Sequence, residues 1–219
     1  MADQTETPLN GYIDHTLLRP DATARDIEKL CTEAIEHQLF AVCVSGCWVQ
    51  HAWNHLGDSD VSIATVVGFP SGASDPDAKR YETEVAVDNG AHEIDMVMNL
   101  GKFIDGDHRA VSREIRDVID AADDRRVKVI IETDFFNDEQ IATACKIALQ
   151  AEAHFVKTST GFGPGGATIE HVKLMRETVG QFCGVKASGG IRDAETAKAM
   201  IEAGASRIGT SSGVTIVGG

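Results

Sequence analysis

Apolar, β-branched runs alternate with amphipathic stretches along the whole of this chain. The strand-like runs fall at 11–15, 40–44, 62–67, 93–98, 127–132, 154–158, 184–187 and 206–209. Segments of helical periodicity lie between them, at 23–37, 47–56, 76–89, 108–122, 138–150, 168–180 and 193–203, and a last short one begins near Ser211. Thr23, with Asp26 three residues on, reads as a helix N-cap, and Pro76, Asp138 and Asp193 mark further helix starts. Gly90 and Gly204 stand where helices should end. With no linker or low-complexity segment, this alternation predicts one domain over residues 1–219, an α/β chain closed as a (β/α)8 TIM barrel. An open doubly wound sheet gives the same alternation, and strand periodicity alone does not separate the two.

In a barrel, chemistry belongs at the C-terminal ends of the strands. Lys157 and Lys186 both fall there, each inside an apolar run and each just before a loop rich in Gly, Ser or Thr. A lysine rarely enters an apolar strand, because burying its charge without a partner is costly. Strands in a sheet lie about 4.8 Å apart, so lysines at matching heights on neighbouring strands can couple. One ammonium group makes its neighbour easier to deprotonate, and a neutral amine can attack a carbonyl to form a Schiff base. Asp95, between Ile94 and Met96, is a further buried charge. It reads either as the partner of a lysine or as an acid/base group. Asp14, Cys43 and Glu132 also fall at or near predicted strand ends.

The segment Gly161-Phe-Gly-Pro-Gly-Gly166 matches G-x-G-x-x-G, but only 53 residues follow it, too few for most of a dinucleotide domain. A phosphate-contacting loop is the better reading, shared by Gly189-Gly190 and Gly209-Thr-Ser-Ser-Gly213. His51 and His55 lie one helical turn apart without a third ligand, so they read as surface histidines and no metal is expected. Cys43 has no neighbouring His or acid to mark it as a nucleophile. The five cysteines, without a Cys-x-x-Cys pair, read as reduced thiols of a cytoplasmic protein.

Charge narrows the partners. The 34 acids outnumber the 20 bases, for a net charge of −14, which argues against nucleic acid. No run approaches the roughly 18 apolar residues of a membrane span, and the polar, acidic N-terminus does not read as a secretory signal. Only 9 of the 20 bases are lysines. Such an acidic, lysine-poor surface fits adaptation to high salt, where screening weakens self-repulsion, and it also fits an ordinary acidic protein.

At these residues the chain resembles the deoxyribose-phosphate aldolases, class I aldolases with a (β/α)8 barrel. The resemblance runs from Ile13-Asp-His-Thr-Leu-Leu18 to Gly209-Thr-Ser-Ser-Gly213. Its most specific pieces are Val156-Lys-Thr-Ser-Thr-Gly161 and Val185-Lys-Ala-Ser-Gly-Gly-Ile-Arg192. Glu93-Ile-Asp-Met-Val-Met-Asn99 and Lys128-Val-Ile-Ile-Glu-Thr133 add to it. It implies reversible cleavage of 2-deoxy-D-ribose 5-phosphate to acetaldehyde and D-glyceraldehyde 3-phosphate, in deoxynucleoside catabolism and without a cofactor. Lys157 becomes the Schiff-base lysine, Lys186 the lysine that perturbs it and Asp95 the proton-relay carboxylate. Asp14, Thr16, Cys43, Thr158 and Thr160 are the expected substrate-binding residues. Gly161, Gly189, Gly190, Gly209, Ser211 and Ser212 are the expected phosphate-binding residues. A homo-oligomer, dimer or larger, is expected. Phe162 departs from members that place a lysine there, and the chain ends in Gly218-Gly219 without the aromatic tail of some members. Two other readings stand beside this one: a sugar-phosphate isomerase using acid/base pairs, and a non-catalytic sugar-phosphate sensor.

Overall fold

Alternation of side chains along eight short strands decides this architecture. The structure, a computed structural model, describes residues 7–218. Most of the polar N-terminal stretch and Gly219 lie outside the described residues. The strands are β1 (Ile13–Leu17), β2 (Ala41–Val44), β3 (Ser62–Val67), β4 (Glu93–Val97), β5 (Arg126–Ile130), β6 (Phe155–Lys157), β7 (Gly184–Ser188) and β8 (Arg207–Thr210). All pair in parallel with their sequence neighbours, and β8 closes on β1. Closure excludes the open doubly wound sheet.

Helices cover the outside of the barrel. Among them are α1 (Ala24–Glu36), α2 (Val49–Leu56), α3 (Pro76–Asp88), α4 (Leu100–Ile104), α5 (His108–Ala121), α6 (Asp138–Gln150), α7 (Ile169–Val179), α8 (Ala194–Glu202) and α9 (Gly213–Gly218). Their starts are fixed by local chemistry. Thr23 and Asp26 close a capping box at α1, and Asn137 and Gln140 close another at α6. Asp75 caps α3, with Pro76 at its first position, and Asp193 caps α8. No helix among the described residues is long and apolar enough to cross a membrane.

Outward side chains of the strands, such as Ile63, Ile94, Met96, Val129, Val156, Val185 and Ile208, join the helices in one apolar layer. The inward side chains differ. On β2 and β3 they are small and apolar: Cys43, Ala64 and Val66. On β1, β4, β5, β6, β7 and β8 they include charged groups.

Three local expectations shift. The first run, 11–15, begins as a 3-10 turn over Leu9–Tyr12, and the strand proper starts at Ile13. Asp14 is therefore deep in the strand and not near its end. The fifth run stops at Ile130, and Glu132 beyond it takes a left-handed conformation with φ 58. The five-residue α4 was not expected. It is too short to show a period and is set by Asn99, whose side chain accepts from the Lys102 amide.

Candidate active site

The register of the sheet assembles the charges. Lys157 pairs with Lys186 across β6 and β7, and Asp95 pairs with Lys128 across β4 and β5. Inside the lumen the Asp95 carboxylate joins three lysines. Its Oδ2 accepts from Lys157 Nζ and Lys186 Nζ, each at 2.8 Å, and its Oδ1 accepts from Lys128 Nζ at 2.7 Å. Asp14 Oδ2 takes a second bond from Lys186 at 2.5 Å. Asp14 Oδ1 accepts from Arg207 Nε at 2.8 Å, and Glu93 accepts from both terminal nitrogens of Arg207 at 3.1 and 2.8 Å. Lys128 also reaches Glu93 at 2.6 Å, and the Arg207 guanidinium lies 3.6 Å from the centre of the Phe40 ring.

These contacts set the ionisation of the floor. Burial opposes the charge on Lys186, but Asp14 and Asp95 outweigh it and hold its ammonium above the ordinary lysine value. Burial likewise works against the Asp14 carboxylate. Lys186, Arg207 and Lys128 overcome it and bring Asp14 down to about 2. Asp95 is held well below the ordinary carboxylate value against its own burial, by Lys128, Lys157 and Lys186. Burial pushes the Cys43 thiol up, so it stays protonated at neutral pH.

Above this floor a cavity of about 370 Å³ opens at the C-terminal end of the strands. Lys157 is the one lumen lysine that lines it, joined by Thr16, Thr160, Gly161, Gly189, Gly190, Gly209 and Ser211. Gly161, Gly189 and Gly190 have φ of 83, 90 and 82, a backbone open mainly to glycine. At Gly209 a Cβ would stand 3.0 Å from Lys186 Cε, so the missing side chain makes room for the lysine. Phe162 stands at the mouth, half exposed and edge-on to Phe69 at 5.3 Å between ring centres.

Some expected site residues do not reach the cavity. Asp14, Asp95 and Lys186 lie beneath it, and Cys43 is sealed against Ala64 and Val66. Thr158, expected to bind substrate, is not among the residues lining the cavity. The alternation that turns Lys157 inward turns Thr158 outward, where its hydroxyl donates to the Ser188 carbonyl at 3.0 Å. Ser212 also lies outside the lining, and its amide is taken by the Thr210 hydroxyl at 2.9 Å. His51 and His55 face α1, where they meet Glu28 and Thr32.

Lys128, Glu93 and Arg207 join the lumen network although none of them is among the site residues expected from the sequence. A signal was present: each interrupts an apolar run at the spacing that puts it on the same face as Asp95 or its neighbours. Glu132, near a predicted strand end, holds the loop that follows β6. It accepts from the Thr160 amide at 3.1 Å and from the Thr160 hydroxyl, which in turn accepts from the Phe162 amide at 3.0 Å.

A lysine amine on the floor of a cavity, with a carboxylate and a second lysine behind it, can form and protonate an imine. Comparison with known proteins bears on this arrangement. A family model of DeoC/LacD family aldolases matches residues 10–217. The chain belongs to this aldolase family. A deoxyribose-phosphate aldolase of Brevibacillus brevis is 56% identical to it over 211 residues, 96% of each chain. One of Bdellovibrio bacteriovorus is 55% identical over the same share. Among solved structures, an aldolase called QR15 superposes with a TM-score of 0.93 at 40% identity, over 96% of this chain and 94% of its own. A tetrameric deoxyribose phosphate aldolase of Aeropyrum pernix gives 0.88 at 32% identity, over 96% and 89%. Family membership and the closed barrel thus agree with the resemblance drawn from the lysine motifs.

Proposed function

We propose that this chain is a deoxyribose-phosphate aldolase, reversibly cleaving 2-deoxy-D-ribose 5-phosphate to acetaldehyde and D-glyceraldehyde 3-phosphate. The observation that carries the reading is Lys157, only 2% exposed, at the floor of the cavity with Asp95 at 2.8 Å. Neutral Lys157 attacks C1 of the open-chain aldehyde, and loss of water leaves an iminium. Removal of the C3 hydroxyl proton breaks the C2–C3 bond and releases glyceraldehyde 3-phosphate, the electron pair passing into an enamine. Protonation at C2 and hydrolysis release acetaldehyde and return the amine. One Asp95 oxygen bonded to both Lys157 and Lys186 supports a role in carrying these protons, through water at the reacting carbon.

Thr16 and Thr160 line the path to Lys157 and are assigned to the substrate. Gly161, Gly189, Gly190, Gly209 and Ser211 line the same cavity and are assigned to the phosphate, with Arg192 at the mouth as a positive charge. Reaction through a lysine imine requires no metal or organic cofactor. A homo-oligomer in the cytoplasm fits the tetrameric relative and the unpaired cysteines, and light scattering tests the assembly.

Borohydride reduction in the presence of acetaldehyde, followed by mapping of the adduct, tests the nucleophile. The adduct is expected on Lys157. Lys157→Ala should abolish trapping and lower turnover by at least about a thousandfold while the fold survives. Substantial turnover in that variant would sink the assignment and favour the isomerase reading. The phosphate wall has its own test. Unphosphorylated deoxyribose should have a much lower kcat/KM, and Phe162→Lys should lower KM for the phosphorylated sugar. Equal kcat/KM for the two sugars would show that these loops do not read phosphate.

A further inference from the structure

We propose that Arg207 and Glu93, beneath the reaction centre, are positioning residues that set the charge balance under which Lys157 loses its proton. The inference rests on the Schiff-base reading of Lys157 and extends it to two residues that touch neither substrate nor nucleophile.

Four cations, Lys128, Lys157, Lys186 and Arg207, share the lumen with three carboxylates, Asp14, Glu93 and Asp95. None of the seven is more than 4% exposed. The other groups facing this cluster are screened, neutral or paired. Arg126 reaches Glu93 at 4.0 Å from below, but its side chain is more than half exposed to water. Burial lowers the pKa of His92 and His154 beside Glu93, which favours their neutral forms. From β2 the Cys43 thiol is neutral, and β3 contributes only Ala64 and Val66. Beyond β5, Glu132 is bonded to the Thr160 amide and hydroxyl at the rim. At the mouth Arg19 is paired with Asp21 and Asp26, and Arg192 is exposed. The buried lumen therefore holds one positive charge more than its carboxylates balance when every lysine is protonated. An uncompensated charge in a site of low effective dielectric is unfavourable, and losing one proton removes it.

The contacts decide which group loses it. Arg207 cannot, since a guanidinium keeps its proton in proteins. Lys186 is held by Asp14 and Asp95, and Lys128 by Glu93 and Asp95. Lys157 has a single carboxylate partner, Asp95, and is the only one of the three that lines the cavity, where water can take the proton. The reactive amine is thus selected by having the fewest counter-ions and an exit. This differs from simple repulsion between two lysines. Lys186 is neutralised by its own carboxylates, and the surplus charge belongs to the whole cluster, with Arg207 as the member that can never discharge.

The test is the pH profile of imine formation with acetaldehyde, read by borohydride trapping, on variants that change the count by one. Glu93→Gln makes the surplus two and should move the profile to lower pH. Arg207→Gln removes the surplus and should move it to higher pH. The Glu93→Gln/Arg207→Gln pair should return it close to the parent, and Arg207→Lys, which keeps the charge, should leave it in place. A shift of about one pH unit, a tenfold change in neutral amine at fixed pH, is expected for each single change. A merely structural role would lower the rate or the stability without shifts of opposite sign. Glu93→Gln is nearly isosteric and still offers an acceptor to Arg207 and Lys128. Should Arg207→Gln fail to fold, that variant decides alone: an acid shift upholds the proposal, and no shift or an alkaline one overturns it. Absence of any Lys157 adduct in the parent protein would instead bring down the aldolase reading itself.

Discussion

The two faces of one sheet are built on opposite chemistry here. On β8, Arg207 and Gly209 face a lumen of ion pairs, while Ile208 between them faces the helices in an apolar layer. The outer face supplies stability in the ordinary way, by removing apolar area from water. The inner face does not. A buried network of charges returns little net stability, because desolvation offsets most of the attraction. What the lumen gains is a fixed electrostatic setting around one amine. Under the imine chemistry proposed for Lys157, stability and reactivity thus lie on opposite sides of a single β-sheet layer.

That division can be broken most sharply on β8 itself. Ile208→Ala should cost about 2–5 kcal/mol of stability, since the side chain is fully buried. It should leave the pH profile of imine formation where it was. Denaturant unfolding and trapping on the same variant check both halves. A shifted profile would mean that the two faces are coupled through the strand.

Salt separates lumen charge from surface charge. Acids exceed bases by 14 over the chain, and screening should relieve their mutual repulsion outside while the buried lumen is screened much less. Stability should therefore rise from low to molar salt. A gain of 1 kcal/mol in a chain of this size corresponds to about 2–4 °C in Tm, and a rise of that order is expected. The trapping profile should not move. A flat or falling Tm would assign the acidic composition no stabilising response to salt.

The smallest effect is expected at the N-terminal rim, where the faces meet. Ser206 precedes β8 and accepts from the Val185 amide at 3.1 Å. His92 and His154 repeat the device two and one strand pairs earlier, each accepting a strand amide through Nδ1, from Ile63 at 2.9 Å and Val127 at 3.1 Å. Both rings must be neutral there. Their pKa values are lowered, chiefly by burial, with Arg125 near His92 and Arg126 near His154 acting in the same direction. A depressed histidine adds stability that is present above the unfolded value of about 6.5 and is lost as pH falls through the folded value. Melts between pH 8 and 5 should show that acid loss, at most about 1 kcal/mol per ring. His92→Asn with His154→Asn, which keeps an acceptor that does not titrate, should flatten it. An unchanged acid limb would place the titration elsewhere.

Much of the fold was legible because the outer face obeys local rules. Apolar runs, capping residues such as Thr23 and Asp193, and terminal glycines are each readable within a few residues, and they placed eight strands and most helices. Ring closure was not readable, since alternation fits an open sheet equally well, and β8 meets β1 only through contacts far apart in sequence. The same holds for the candidate site. Lys157, Lys186 and Asp95 stood out as charges in apolar runs, so their presence in the lumen followed from the sequence. The direction of Thr158 was not readable, because it depends on where β6 begins and a shift of one residue reverses a side chain. Lys128, Glu93 and Arg207 carried the same local signal, but their meaning depends on partners up to 193 positions away, as Arg207 and Asp14 are. A sequence states which residues carry charge. Only the closed barrel decides how many of those charges share one water-poor interior and which carboxylate each cation meets there, because those partners come from strands far apart in the chain.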